Sequence, residues 1–113
     1  MGNLLGAPVT EKETHTGVTE DGLSFAVSSM QGWRVHMEDS HITEGKIYAQ
    51  ALSSSPEDGN SGDGSNKYIK IDLPGHALFA VFDGHGGTFA AQYAGDNFCR
   101  VLARQEKFVA YAR

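Results

Sequence analysis

Apolar and polar side chains alternate along several stretches of the chain, and each alternation predicts a strand. Leu23, Phe25 and Val27 alternate with Ser24, Ala26 and Ser28, the pattern of a half-buried strand. After Gln31-Gly32 a second extended run leads from Trp33 towards Thr43. It places Val35 and Met37 on one face and Arg34, His36 and Glu38 on the other. The two runs are expected to pair as a hairpin. Tyr68 to Leu73 alternates again, with Ile69, Ile71 and Leu73 together, and Pro74-Gly75 ends it. Ala77 to Phe82 is a short continuous apolar run, which predicts a strand covered on both faces. Gly84, Gly86 and Gly87 then make a turn, Thr88 is the expected helix cap, and Ala90, Ala94, Phe98, Val101 and Leu102 share a helical face. That periodicity reaches Val109, with Gly95 inside it at a cost of about 1 kcal/mol relative to alanine.

Two segments lack such patterning. Residues 1–22 are polar, broken by Pro8 and Gly17, and are predicted to be a flexible N-terminal segment. Within residues 53–66 no side chain is apolar, so a mobile loop is expected there, inside an ordered region running from 23 to 113.

Composition narrows the classes. The 113 residues suffice for one small domain, and 40% hydrophobic with 20% charged content fits a globular segment. Fourteen acidic against nine basic side chains give a net charge of -5, which argues against nucleic acid as a partner. The lone Cys99 allows no internal disulfide and suits the cytoplasm or nucleus. No apolar run is long enough to span a bilayer and no secretory leader is evident. Met1-Gly2 makes Gly2 a candidate N-myristoylation acceptor that would give membrane association, although Gly6 stands where serine or threonine is preferred.

Two clusters could carry chemistry. Asp83 follows the apolar run, where a lone carboxylate is costly unless paired or metal-bound. The glycines beyond it let backbone carbonyls approach an ion, and hard cations such as Mg²⁺ and Mn²⁺ take oxygen ligands. Asp83 with the Gly84 carbonyl is therefore a candidate half-site; equally, Asp83 could cap the following helix. Glu38-Asp39 is either a second acidic contribution or a solvated pair, and in a regular strand the two would point to opposite faces. Arg34 could hold a phosphate bidentately or form a surface ion pair. His85 is suited to proton transfer or is simply exposed in its turn.

Ser28 to Arg34 (SSMQGWR), Met37 to His41 (MEDSH) and Phe79 to Gly87 (FAVFDGHGG) together resemble the protein phosphatase 2C family of metal-dependent serine/threonine phosphatases. The resemblance implies an α+β fold: part of a four-layer α/β/β/α sandwich, with antiparallel sheets flanked by helices, truncated after its first third. It implies two Mn²⁺ or Mg²⁺ ions, with Asp83 bridging both, the Gly84 carbonyl binding one, Glu38 at the cluster and Asp39 holding a metal-bound water. Arg34 would bind the substrate phosphate and His85 would be the general acid. The implied reaction is hydrolysis of phosphoserine or phosphothreonine in phosphoprotein substrates, by attack of a water activated by the two metals. The family completes its metal site further downstream, so the chain alone is expected to have little activity; the alternative is an inactive phosphatase-like regulator. An α/β-hydrolase reading of His85-Gly86-Gly87 lacks any GxSxG elbow, and Asp58, Asn60 and Asp63 miss the calcium-loop spacing.

Overall fold

Among the described residues, 4–53 and 67–113 of this computed structural model, strands precede helices. The strands are β1 (Leu4–Val9), β2 (Glu13–Val18), β3 (Ser24–Ser29), β4 (Gly32–Arg34), β5 (Ser40–Glu44), β6 (Ile47–Leu52), β7 (Tyr68–Leu73) and β8 (Leu78–Phe82). The helices are α1 (Phe89–Ala103) and α2 (Glu106–Ala112). The strands form four antiparallel pairs, β1–β4, β2–β3, β5–β8 and β6–β7, and the class is α+β as expected.

The expected hairpin of 23–28 with 33–43 does not form. β3 pairs instead with β2, from Glu13↔Ser29 to Val18↔Ser24, so residues 4–18 of the supposedly irregular segment supply two strands. The cause is a tight turn over Thr19 to Leu23. Thr19 N donates to the Leu23 carbonyl (2.9 Å), Gly22 N to the Thr19 carbonyl (3.0 Å), and Leu23 N to Thr19 Oγ1 (3.0 Å). Asp21-Gly22 is a strong hairpin signal, masked in the sequence by the polar strand before it.

The second extended run is split. β4 ends at Arg34, residues 35–39 have no regular structure, and β5 begins at Ser40. β5 then pairs with β8 in the register Ser40↔Phe82 through Glu44↔Leu78. β6, whose IYAQAL pattern mixes small and large residues, pairs with β7, and Ser53 N donates to the Lys67 carbonyl at the end of that pair (2.8 Å). The predicted loop beyond Ser53 and the Gly2 acceptor lie outside the described residues.

α1 lies across β5, β6 and β8, and α2 lies against β6 and β7. The buried core of the described residues is small: Ile42, Ala49, Ala51, Leu73, Ala91 and Ala103. Gly95 explains itself here. A Cβ at that position would run into the Ser40 hydroxyl, so the glycine lets α1 sit directly on β5. The helix does not continue to Val109. Gln105 is extended (φ -69°, ψ 133°), and Arg104 is drawn to the sheet, its guanidinium 3.9 Å from the Tyr68 ring and its Nε donating to Gln50 Oε1 at 2.8 Å. These anchors turn the chain into α2, whose Tyr111 hydroxyl meets His76 Nε2 at 2.7 Å.

β8 is not covered on both faces. Leu78, Ala80 and Phe82 are half-buried, and the Phe82 ring lies 5.9 Å from that of Phe98 on α1. On the other face Val81 is 73% exposed, and Phe79 meets the Phe25 ring of β3 at 5.0 Å. The Cα radius of gyration is 18.6 Å, against about 13 Å for a compact domain of this length, which agrees with so open a core.

Candidate active site

The β5–β8 register builds the site. Ser40 lies opposite Phe82, so the residues just beyond the pair, Asp39 on one strand and Asp83 on the other, leave the sheet at the same end. Opposed residues in such a ladder are about 5 Å apart. Two motifs 44 positions apart in sequence are thereby brought side by side.

The break after β4 removes the objection that Glu38 and Asp39 must face opposite ways. The chain bends, and both side chains turn towards the glycine turn: Gly84 N donates to Asp39 Oδ1 at 3.3 Å, and Gly87 N donates to Glu38 Oε1 at 3.1 Å. Gly87 has φ +127°, a conformation that L side chains rarely adopt. Gly84 is required for a different reason. A Cβ there would collide with the Glu38 carbonyl oxygen and come 3.2 Å from the Ala91 Cβ on the first turn of α1. The acidic loop, the glycine turn and the helix thus close on one point.

Arg34, Glu38, Asp39, Asp83 and Gly84 all line one polar cavity of about 260 Å³. Asp83 does not cap α1, whose N-cap is Thr88; Thr88 itself makes no side-chain capping hydrogen bond. The surface ion pair considered for Arg34 is not made: ion pairs among the described residues join Lys46 to Glu20 and Lys70 to Asp72. His85 is exposed at the turn and does not line the cavity. Sequence reasoning passed over Gln31, Met30 and His36, which also line it. Gln31 stands in the sequence as the neighbour of a turn glycine and as a member of the SSMQGWR stretch, with no role of its own attached.

The donor set suits a hard cation, being three carboxylates and a backbone carbonyl. Among the described residues no three His, Cys, Asp or Glu side chains stand ready-arranged around one ion position. Glu38 and Asp39 each commit one oxygen to a turn amide and keep a second, so the residues suit a hard cation by the chemistry of their donors, without being gathered around one ion position.

A second cavity, about 300 Å³, lies between α1 and the β5–β6 region and is lined in part by Cys99. Burial, and then the Glu44 carboxylate, push the Cys99 thiol above its ordinary pKa. Alkylation of Cys99 by iodoacetamide is therefore expected to reach its half-maximal rate at a higher pH than in a free cysteine peptide. A midpoint at or below that of the peptide would contradict this.

An α+β chain with an oxygen-donor cavity at one end of a strand pair is the class that these observations define. The protein phosphatase 2C family model matches residues 23–112, and the chain belongs to that family. It is 37% identical over 109 residues to protein phosphatase 2C homolog 2 of Saccharomyces cerevisiae, covering 96% of this chain and 19% of the relative. Protein phosphatase 2C homolog 2 of Hypocrea jecorina is 37% identical over 108 residues, covering 96% and 21%. Homolog 3 of Schizosaccharomyces pombe is 35% identical over 108 residues, again covering 96% and 21%. The chain thus spans about a fifth of the length of these curated relatives. No solved structure matches it. Among the described residues no helix is long and apolar enough to cross a membrane.

Proposed function

We propose that the chain contributes the first part of a metal-dependent active site that hydrolyses phosphoserine and phosphothreonine in proteins. The observation that carries this reading is the pairing of the 38–39 carboxylates with the amides of Gly84 and Gly87, which gathers Arg34, Glu38, Asp39, Asp83 and Gly84 around one cavity. Family membership supplies the reaction class.

In this reading Asp83, the Gly84 carbonyl and Glu38 hold Mn²⁺ or Mg²⁺, with Asp39 supporting them. When bound, the two ions supply an activated water at neutral pH and neutralise charge on the phosphoryl group. Arg34 presents a planar fork of donors that orients the substrate phosphate and offsets charge on its equatorial oxygens. His85 donates a proton from its ring nitrogen to the departing serine or threonine oxygen. That role rests on its place in the motif beside Gly84, where it is open to a docked phosphoprotein.

The small core and the one-fifth coverage support the further reading that residues 1–113 alone have little activity. The lone cysteine supports a cytoplasmic or nuclear location, and Gly2 supports membrane association through myristoylation.

The test is hydrolysis of a phosphothreonine peptide by residues 1–113 and by a full-length protein in which this chain is continued to the extent of its relatives, with Mn²⁺ and after chelation. Full-length activity should need the metal, and residues 1–113 alone should retain under about 1% of it, the order set by losing several kcal/mol of metal assistance. Metal-independent hydrolysis would overturn the mechanism, and comparable activity in residues 1–113 would overturn the partial-site reading.

A further inference from the structure

Residues 35–39 carry the acidic loop and have no regular structure, yet both ends of the segment are tied down. The far end is held by the amides of Gly84 and Gly87. The near end is held by a single side chain. Gln31 Nε2 donates to the Arg34 carbonyl at 2.7 Å and to the Val35 carbonyl at 3.0 Å. One amide nitrogen carries two hydrogens, so both bonds can be made at once.

The strand ladder gives little help there. β4 is three residues long, and its pairing with β1 is irregular between Leu4↔Arg34 and Val9↔Gly32. Arg34 is the last residue of β4, so its backbone sits where the ladder ends and the bend begins. Gln31 is half-buried and lines the same cavity as Arg34. Its amide closes a ring from residue 31 to residues 34 and 35, which fixes the direction in which Arg34 leaves the backbone.

We propose that Gln31 is a positioning residue: its side-chain amide sets the backbone of Arg34 so that the guanidinium is presented to the substrate phosphate. This deepens the phosphatase reading above and rests on it. The donor, and not the bulk, carries the effect. In Gln31→Glu the shape is kept, but the two carbonyls would face a carboxylate oxygen instead of an N–H, so that variant should behave like Gln31→Met.

The experiment uses the full-length protein with Mn²⁺ and a phosphothreonine peptide. Both variants are expected to raise KM about 10-fold, the order expected from losing two neutral hydrogen bonds, with kcat changed much less. In an Arg34→Met background, adding Gln31→Met should cost nothing further, because the residue acts through Arg34. Amide hydrogen exchange in a peptide covering residues 34–39 should quicken in both Gln31 variants while exchange in α1 is unchanged. Wild-type KM in Gln31→Glu, or full additivity with Arg34→Met, would overturn the proposal. If the wild-type protein shows no metal-dependent hydrolysis, the phosphatase reading fails instead, and the exchange rates still decide whether Gln31 holds the bend.

Discussion

Replacing Asp83 with asparagine is expected to lower Mn²⁺-stimulated phosphopeptide hydrolysis by the full-length protein by at least about 100-fold, which corresponds to about 3 kcal/mol of lost transition-state stabilisation. The substitution keeps the shape and removes the charge. None of the hydrogen bonds seen among the described residues uses the Asp83 carboxylate, whereas Glu38 and Asp39 both receive backbone amides. Asp83→Asn should therefore leave the fold intact, and in metal-free buffer its thermal midpoint should match the wild type. The loss should appear together with a higher Mn²⁺ concentration for half-maximal rate, because a neutral amide oxygen is a poorer ligand for a hard cation than a carboxylate. Unchanged turnover and an unchanged Mn²⁺ requirement would remove Asp83 from the site.

Gly84→Ala should be nearly as damaging, through sterics instead of charge. The new methyl would press on the Glu38 carbonyl, a backbone atom that cannot rotate aside, and on Ala91 of α1 behind it. Either the acidic loop or the first turn of α1 must retreat. Overpacking of this kind costs about 1–3 kcal/mol. A retreating loop also strains the bond from Gly84 N to Asp39. Activity is expected to fall by more than about 10-fold, with misplacement of about 1 Å enough to do so. A denaturant midpoint measured beside Gly6→Ala gives the control, since a Cβ at Gly6 meets nothing within 4 Å. Equal midpoints and equal rates for the two variants would show that the loop and the turn are not in contact.

Much of the site was legible because its residues are unusual in place as well as in type. A carboxylate directly after ALFAVF, followed by glycines, singles out Asp83 and Gly84, and both line one cavity with the acidic loop; the desolvation cost that drew attention to Asp83 is not present, since its side chain is exposed. Tyr68 to Leu73 was legible as a strand to the residue, since alternation and the Pro74-Gly75 stop agree. The pairing of strands was not legible. Thr and His in β2 give no apolar stripe, so the Asp21-Gly22 turn follows no recognisable strand and the true partner of β3 is hidden. The split between β4 and β5 was hidden because Trp33, Val35 and Met37 continue the alternation through a bend that hydrogen bonds, not hydrophobicity, create. The end of α1 was missed for a related reason. The anchors of Arg104 lie on β6 and β7, more than thirty positions away in sequence, and no local window contains them.

The Ser40↔Phe82 pairing also makes the acidic centre intolerant of changes in strand length. Side chains along a strand alternate sides, so deleting or inserting one residue within β5 would move Asp39 by about 3.4 Å along its neighbour and flip which side it serves. The same shift would turn Ile42 out of the core and Ser40 away from Gly95, so the two acidic groups would no longer meet and α1 would lose its seat. Point changes on the outer side of β5 should be absorbed, while a one-codon indel there would cost the centre and the packing beneath it together.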